Sequence, residues 1–144
     1  MRAQWCDEWL AEYLRSLGAV AGSIHLVEGV GLRLTGAVNL PEKVQQVVEW
    51  VPSGKGMAGQ ALQRGEPVFT CNLKNDSSGA VRPGAKAVEA QAAVAMPVRD
   101  GSNIIVAIVG LAFADQRDFT KADLEAFEIT ALGLVARIRD TEEK

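Results

Sequence analysis

The sequence predicts an α+β domain built on a central antiparallel β-sheet. Three observations carry this. Residues 19–28 and 32–40, and again 92–99 and 104–114, are pairs of apolar runs joined by short turns. Each pair reads as a β-hairpin, and consecutive strands joined by tight turns pair antiparallel. A glycine-rich segment at 51–69, VPSGKGMAGQALQRGEPVF, separates the two hairpins. The chain then closes on a long helical pattern that opens with its own cap.

The first element is a helix over 4–17. Trp5, Trp9, Leu10, Tyr13, Leu14 and Leu17 recur at helical spacing as one wide apolar stripe, and Gly18 is a stop. Its aromatic residues either pack on the sheet or form a dimer seam with the last helix. In the first hairpin, Gly29 and Gly31 are the turn residues. Residues 41–51 read as a short helix that becomes extended near Val48. Pro41 suits a first helical position, and Val44, Val47, Val48 and Val51 fit one face.

Gly54, Gly56 and Gly59 open the next segment, a short helix carries Ala61 and Leu62, and Gly65 stops it. Glycines ahead of a small-residue helix let backbones approach closely and leave the helix N-terminus open to a ligand. The run 54–59 spells G-x-G-x-x-G. A dinucleotide-binding unit would place that motif after the first strand of a βαβ repeat, whereas here it sits mid-chain before a hairpin-rich sheet. No Gly-Lys-Ser/Thr follows, so it is not a phosphate loop of the Walker type. The glycines therefore serve close packing, ligand contact, or both.

A strand over 68–71 follows. Residues 72–90 (NLKNDSSGAVRPGAKAVEA) read as a loop, with room for one helical turn. A loop of that length in a small domain is functional or mobile as a rule. The second hairpin turns at Asp100-Gly101-Ser102-Asn103, an Asp-Gly signal between apolar runs. In the last helix, 121–139, Thr120 caps, Asp123 reaches back, and Phe119 is placed to pack on Leu124. Acids stand early and bases late, as the helix dipole prefers. One side carries Leu124, Phe127, Ala131, Leu134 and Ile138, and another carries Ile129, Leu132 and Ala136. A helix apolar on two sides buries more than one face, which points to a homodimer.

Composition bounds the function. With 144 residues, 48% hydrophobic and 23% charged, the chain reads as one domain over 1–144. Net charge is −3 and the bases are scattered, so neither nucleic acid nor a membrane surface is an expected partner. Acids interrupt the N-terminal apolar pattern, which excludes a secretory signal there. No apolar run approaches the ~20 residues that span a bilayer. Cys6 and Cys71 do not make a disulfide framework. The expected location is the cytoplasm. His25 is the lone histidine, so no metal ligand set is visible, and it reads as a satisfied structural residue on its strand.

The order of elements, with VPSGKGMAGQALQRGEPV at 51–68, AVAMPV at 93–98, VGLAFAD at 109–115 and DFT at 118–120, resembles the GAF family of sensor domains from about residue 19 to 136. The resemblance implies a six-stranded antiparallel sheet, with a short strand near 48–51 completing it, in a profilin-like α/β/α sandwich. It implies terminal helices on one face and short helices and loops enclosing a pocket on the other. Members bind cyclic nucleotides, bilins, haem or small metabolites, or have no known ligand, and many dimerise through the terminal helices.

By this resemblance the chain is a non-catalytic sensory domain. Its pocket lies between the sheet and loop 72–90, with Gly56, Met57, Cys71, Asn72, Asp76, Arg82, Lys86, Glu89 and Gln91 as ligand-binding residues. Arg82 and Lys86 suit an anionic ligand group. No cysteine stands where a bilin would attach, and the cyclic-nucleotide signature is not recognisable, so the cofactor or ligand is left open. One branch of the family reduces free methionine sulfoxide with cysteines around this same loop, and 72–90 contains none. Such an enzyme needs a thiolate and a resolving thiol. The alternatives to a sensor are therefore that reductase, with Cys71 as its thiol, or a ligand-free assembly module such as the roadblock-type adaptors.

Overall fold

A computed structural model describes residues 3–70, 91–115 and 118–142. The expectations placed on 71–90, including the site residues from Cys71 to Glu89, lie outside them.

Helix α1 (Gln4–Leu17) ends at Gly18, whose φ of +74° is the left-handed geometry a helix-terminating glycine adopts without strain. Strands β1 (Ala21–Glu28) and β2 (Gly31–Val38) form the first hairpin. Of its two glycines only Gly29 bends the chain, at φ +59°. Gly31 already belongs to β2, and a Cβ there would lie 2.5 Å from the Trp50 ring. It was expected as a turn residue, but it makes room for an aromatic side chain.

Helix α2 (Glu42–Val47) and strand β3 (Trp50–Pro52) resolve the 41–51 ambiguity in the expected order. Two details differ. Pro41 is the cap and not the first helical residue, and Val47, the last residue of the helix, is exposed while Val44 is buried. Helix α3 (Gly56–Arg64), stopped by Gly65 at φ +71°, leads to β4 (Val68–Thr70). The second hairpin is β5 (Ala92–Arg99) and β6 (Ile105–Phe113). Its left-handed residue is Asn103, φ +64°, and not Gly101. The Asp100 carboxylate accepts the backbone N–H groups of Ser102 and Ile104 and holds the turn from the other end. Helix α4 (Lys121–Glu142) begins with the expected reciprocal cap. Thr120 N–H donates to Asp123 Oδ2 at 3.0 Å, and Asp123 N–H donates to Thr120 Oγ1 at 3.1 Å.

The six strands run β3-β2-β1-β6-β5-β4 and every pair is antiparallel. Both edge strands are three residues long, which leaves little unpaired edge. Alternation divides the sheet into two faces. On one, Ile24, Val94, Met96, Val98, Val109, Leu111 and Phe113 pack with Leu10, Tyr13 and Leu14 of α1 and Ala131, Leu134 and Ile138 of α4. Tyr13 ties the terminal helices together there, its Oη donating to the Phe127 carbonyl at 2.6 Å, and within α1 Trp9 stacks on Tyr13 at 4.8 Å. On the other face Leu32, Val51, Ala61, Val68, Ala95 and Ile108 form a smaller cluster under α3.

Candidate functional site

The face under α3 is where the sheet's side chains become small. Ser23 of β1 pairs with Gly110 of β6, and Gly110 with Ala95 of β5. The next row places Ala112 beside Ala93. These residues and His25 floor a cavity of about 140 Å³. Leu40, Val44, Val48 and Val51 wall it on one side, and Lys55, Gly56, Met57 and Ala58 on another. Lys55 is the one charged residue of the lining among the described residues.

The glycines ahead of α3 bring its first turn to this cavity. Gly54 (φ +89°) and Gly56 (φ +64°) take left-handed conformations that other residues adopt with strain. Gly54 N–H donates to the Gly59 carbonyl at 2.7 Å, and a Cβ on Gly59 would stand 2.5 Å from the Pro52 carbonyl oxygen. The segment is thus a tight turn folded back on the helix, so the glycines pack closely and one of them, Gly56, also borders the cavity. No side chain caps α3. Its first N–H groups lack the partner that a Ser or Asp cap would supply.

His25 is the buried polar group of the site, 3% exposed. Its Nε2 lies 2.8 Å from the Val48 carbonyl oxygen, while Nδ1 is buried with no hydrogen-bond partner among the described residues. The residue expected to be satisfied is half satisfied. Burial holds its pKa below the ordinary 6.5, and the Val48 carbonyl acts in the opposite direction. A second cleft, about 280 Å³ between Asp100, Ile105 and Arg139, holds no such buried unpartnered atom among the described residues.

Of the residues singled out from the sequence, Gly56 and Met57 line the cavity. Gln91 does not. It precedes β5, where its N–H donates to the Phe113 carbonyl at 2.9 Å. Cys71, Asn72, Asp76, Arg82, Lys86 and Glu89 lie outside the described residues. Cys6 is buried against the sheet's other face, with Sγ 3.7 Å from Thr35 Oγ1. The floor itself escaped the sequence reading. Its signal was present as the alternation of small with large residues in AAVAM (92–96) and VGLAF (109–113). Among the described residues no group of three His, Cys, Asp or Glu is arranged to hold a metal, and no helix is long and apolar enough to cross a membrane.

The sequence profile of the GAF domain matches residues 7–137. A search of curated proteins by sequence finds no match. Among solved structures, the GAF domain of a phosphoenolpyruvate-protein phosphotransferase from Coxiella burnetii is similar at 17% identity, covering 97% of this chain and 83% of that one, with a TM-score of 0.77. The GAF domain/HD domain protein from Geobacter sulfurreducens is 12% identical over 96% and 95% of the two chains, TM-score 0.71. The type II free methionine-R-sulfoxide reductase from Thermoplasma acidophilum is 16% identical over 89% and 88%, TM-score 0.64. At these identities the likeness is one of fold.

Proposed function

The chain belongs to the GAF domain family, and on that premise we propose that it is a non-catalytic sensory domain whose ligand occupies the cavity between the sheet and α3. The observation that carries this reading is the cavity itself. Alanine and glycine stand on two adjacent strands, β5 and β6, where the opposite face carries Val, Leu, Met and Phe, and the space they leave meets the uncapped start of α3. Interiors close such gaps as a rule. A kept gap beside a helix start that no side chain caps suits a small molecule. Residues 72–90 complete the site in this reading, with Cys71, Asn72, Asp76, Arg82, Lys86 and Glu89 available to the ligand.

Signalling follows as a population shift. Ligand favours the state in which α3 and 72–90 are ordered, and the shared sheet passes that preference to α1 and α4 on its far side. Native mass spectrometry of the freshly purified protein tests the reading directly. A small-molecule adduct that disappears in Ala95→Leu, which fills the floor, is the expected result. Once that adduct is identified, unchanged hydrogen exchange in α3 and 72–90 at saturation would eliminate the population-shift mechanism.

The same proposal includes a homodimer through the terminal helices. Ile129, at 67% exposure, and Leu132, at 50%, leave an apolar strip on α4 beside the half-buried Trp5 and Trp9 of α1. Ile129→Glu with Leu132→Glu is expected to turn a dimer into a monomer in sedimentation. A parent protein that is already monomeric at tens of micromolar removes this part. The enzymatic reading rests on the reductase-like fold, and it is tested by assaying turnover of free methionine sulfoxide with the parent chain and Cys71→Ser. Inactive parent protein eliminates it.

A further inference from the structure

We infer that α4 pairs antiparallel with α4 of a second copy of this chain, about a two-fold axis at Leu132, with Glu125 of each protomer facing the partner's Arg139. This deepens the homodimer reading and rests on it.

Helix α4 carries two seams. Ala131, Leu134 and Ile138 are buried against the sheet and α1, with Leu124 and Phe127 packed beside them. On the other side Glu125, Ile129, Leu132, Ala136 and Arg139 are all exposed. The steps between these five are four, three, four and three residues. At about 100° per residue they fall within a sector of roughly 80°. That is the spacing by which one helix packs along another. Ile129 and Leu132, 67% and 50% exposed, are the apolar centre. Helix α1 runs along one flank, where Trp9 lies against Gly133 and Arg137 stands over the Trp5 ring at 5.4 Å. It leaves the second seam itself open among the described residues.

The charges choose the occupant and its direction. Glu125 stands seven residues before Leu132 and Arg139 seven residues after it. Turning the stripe end for end about Leu132 therefore lays its acidic end on its basic end and its apolar centre on itself. A two-fold interface sets one patch against the same patch, so it requires this self-complementarity. Beyond the pair stand Lys121 and Asp140, again of opposite sign, and the same reversal turns each towards the other. A parallel pairing would oppose Glu125 to Glu125 and Arg139 to Arg139, and like charges across an interface are costly. Both groups are available. Glu125 makes an exposed contact with Lys121 at 4.0 Å, and Arg139 makes no ion pair among the described residues.

Sedimentation of the parent and three variants tests the arrangement. Glu125→Arg and Arg139→Glu each bring like charges together twice across the axis, and each is expected to weaken the dimer about tenfold. The two combined exchange the charges and are expected to restore the parent affinity. In a parallel dimer a single reversal only replaces one like pair by another. Unchanged affinity in both single variants therefore overturns the orientation while the homodimer reading stands, and a combined variant as weak as the singles does the same. Crosslinking gives a measurement independent of charge. In the Cys71→Ser chain, Glu125→Cys together with Arg139→Cys is expected to yield an oxidised dimer. Glu125→Cys alone is expected to yield none, because its two copies would stand about 20 Å apart along the helices. Crosslinking by Glu125→Cys alone overturns the antiparallel pairing. A parent protein that is monomeric at tens of micromolar removes the homodimer and this inference together.

Discussion

The two faces of the central sheet are built from the same strands and do opposite things. Along β5, Val94, Met96 and Val98 enter the core under α1 and α4, while Ala93 and Ala95 point the other way. Along β6, Val109, Leu111 and Phe113 fill the same core, while Gly110 and Ala112 floor the cavity. Side chains alternate with period two, so one strand can carry a dense face and a sparse one without any change of backbone. One face holds the fold together, and the other keeps space. Family members share the architecture; the chemistry of the space belongs to the particular small residues and to His25.

Truncation and filling should separate the faces most sharply. Phe113→Ala empties the dense side, where Phe119 and Phe127 stack around that ring, and is expected to cost about 3–5 kcal/mol in denaturant unfolding. Ala95→Val adds bulk on the sparse side and is expected to change stability by less than about 1 kcal/mol, because the methyl groups enter open space. Similar losses from both would break the distinction.

A subtler pair compares added methyl groups. In Gly22→Ala the new Cβ points into the helices, 2.7 Å from the Gly110 carbonyl oxygen and 2.8 Å from Leu14 Cδ2. A backbone atom cannot step aside, so a loss of about 1–3 kcal/mol is expected. In Gly110→Ala the nearest atom, at 2.6 Å, is Ser23 Oγ, a hydroxyl that rotates into the cavity. That change should cost visibly less in the same thermal melts.

The smallest effect sharpens the electrostatic side of the contrast. Burial depresses the folded-state pKa of His25 below 6.5, so the unfolded chain binds the proton more readily. Stability contributed by the neutral ring is then fully present above 6.5. It is lost as pH falls from there to the folded-state value, and it is constant below that. The slope attributable to His25 is at most about 1.4 kcal/mol per pH unit. It should be absent from His25→Gln, and so appear as the difference between the two slopes when both proteins are melted across this range. An unchanged slope would mean the ring is not held neutral.

Reading the sequence recovered most of the elements because their signals are local. Thr120 and Asp123 cap α4 within one turn of each other, Gly18 and Gly65 end their helices, and the Asp100 turn holds its hairpin over five residues. Where local signals compete, the reading slipped. The Asp-Gly signal marked the second hairpin's turn but not its left-handed residue, which is Asn103. Gly31 looked like a turn residue, yet its smallness serves Trp50 nineteen positions on.

What the chain determined by itself is its periodicity, its caps and turns, and so the antiparallel α+β architecture. These depend on residues a few positions apart and on the alternation that a strand imposes. The tertiary structure decided which alternate residues share a face, and that Ser23, Gly110 and Ala95 fall in one row across three strands. It also decided that His25 finds its partner at Val48 and that its other nitrogen has none among the described residues. Those relations require register between distant segments, which no local pattern encodes. A cavity is moreover the place where side chains are missing, and only the packed structure can show what surrounds an absence.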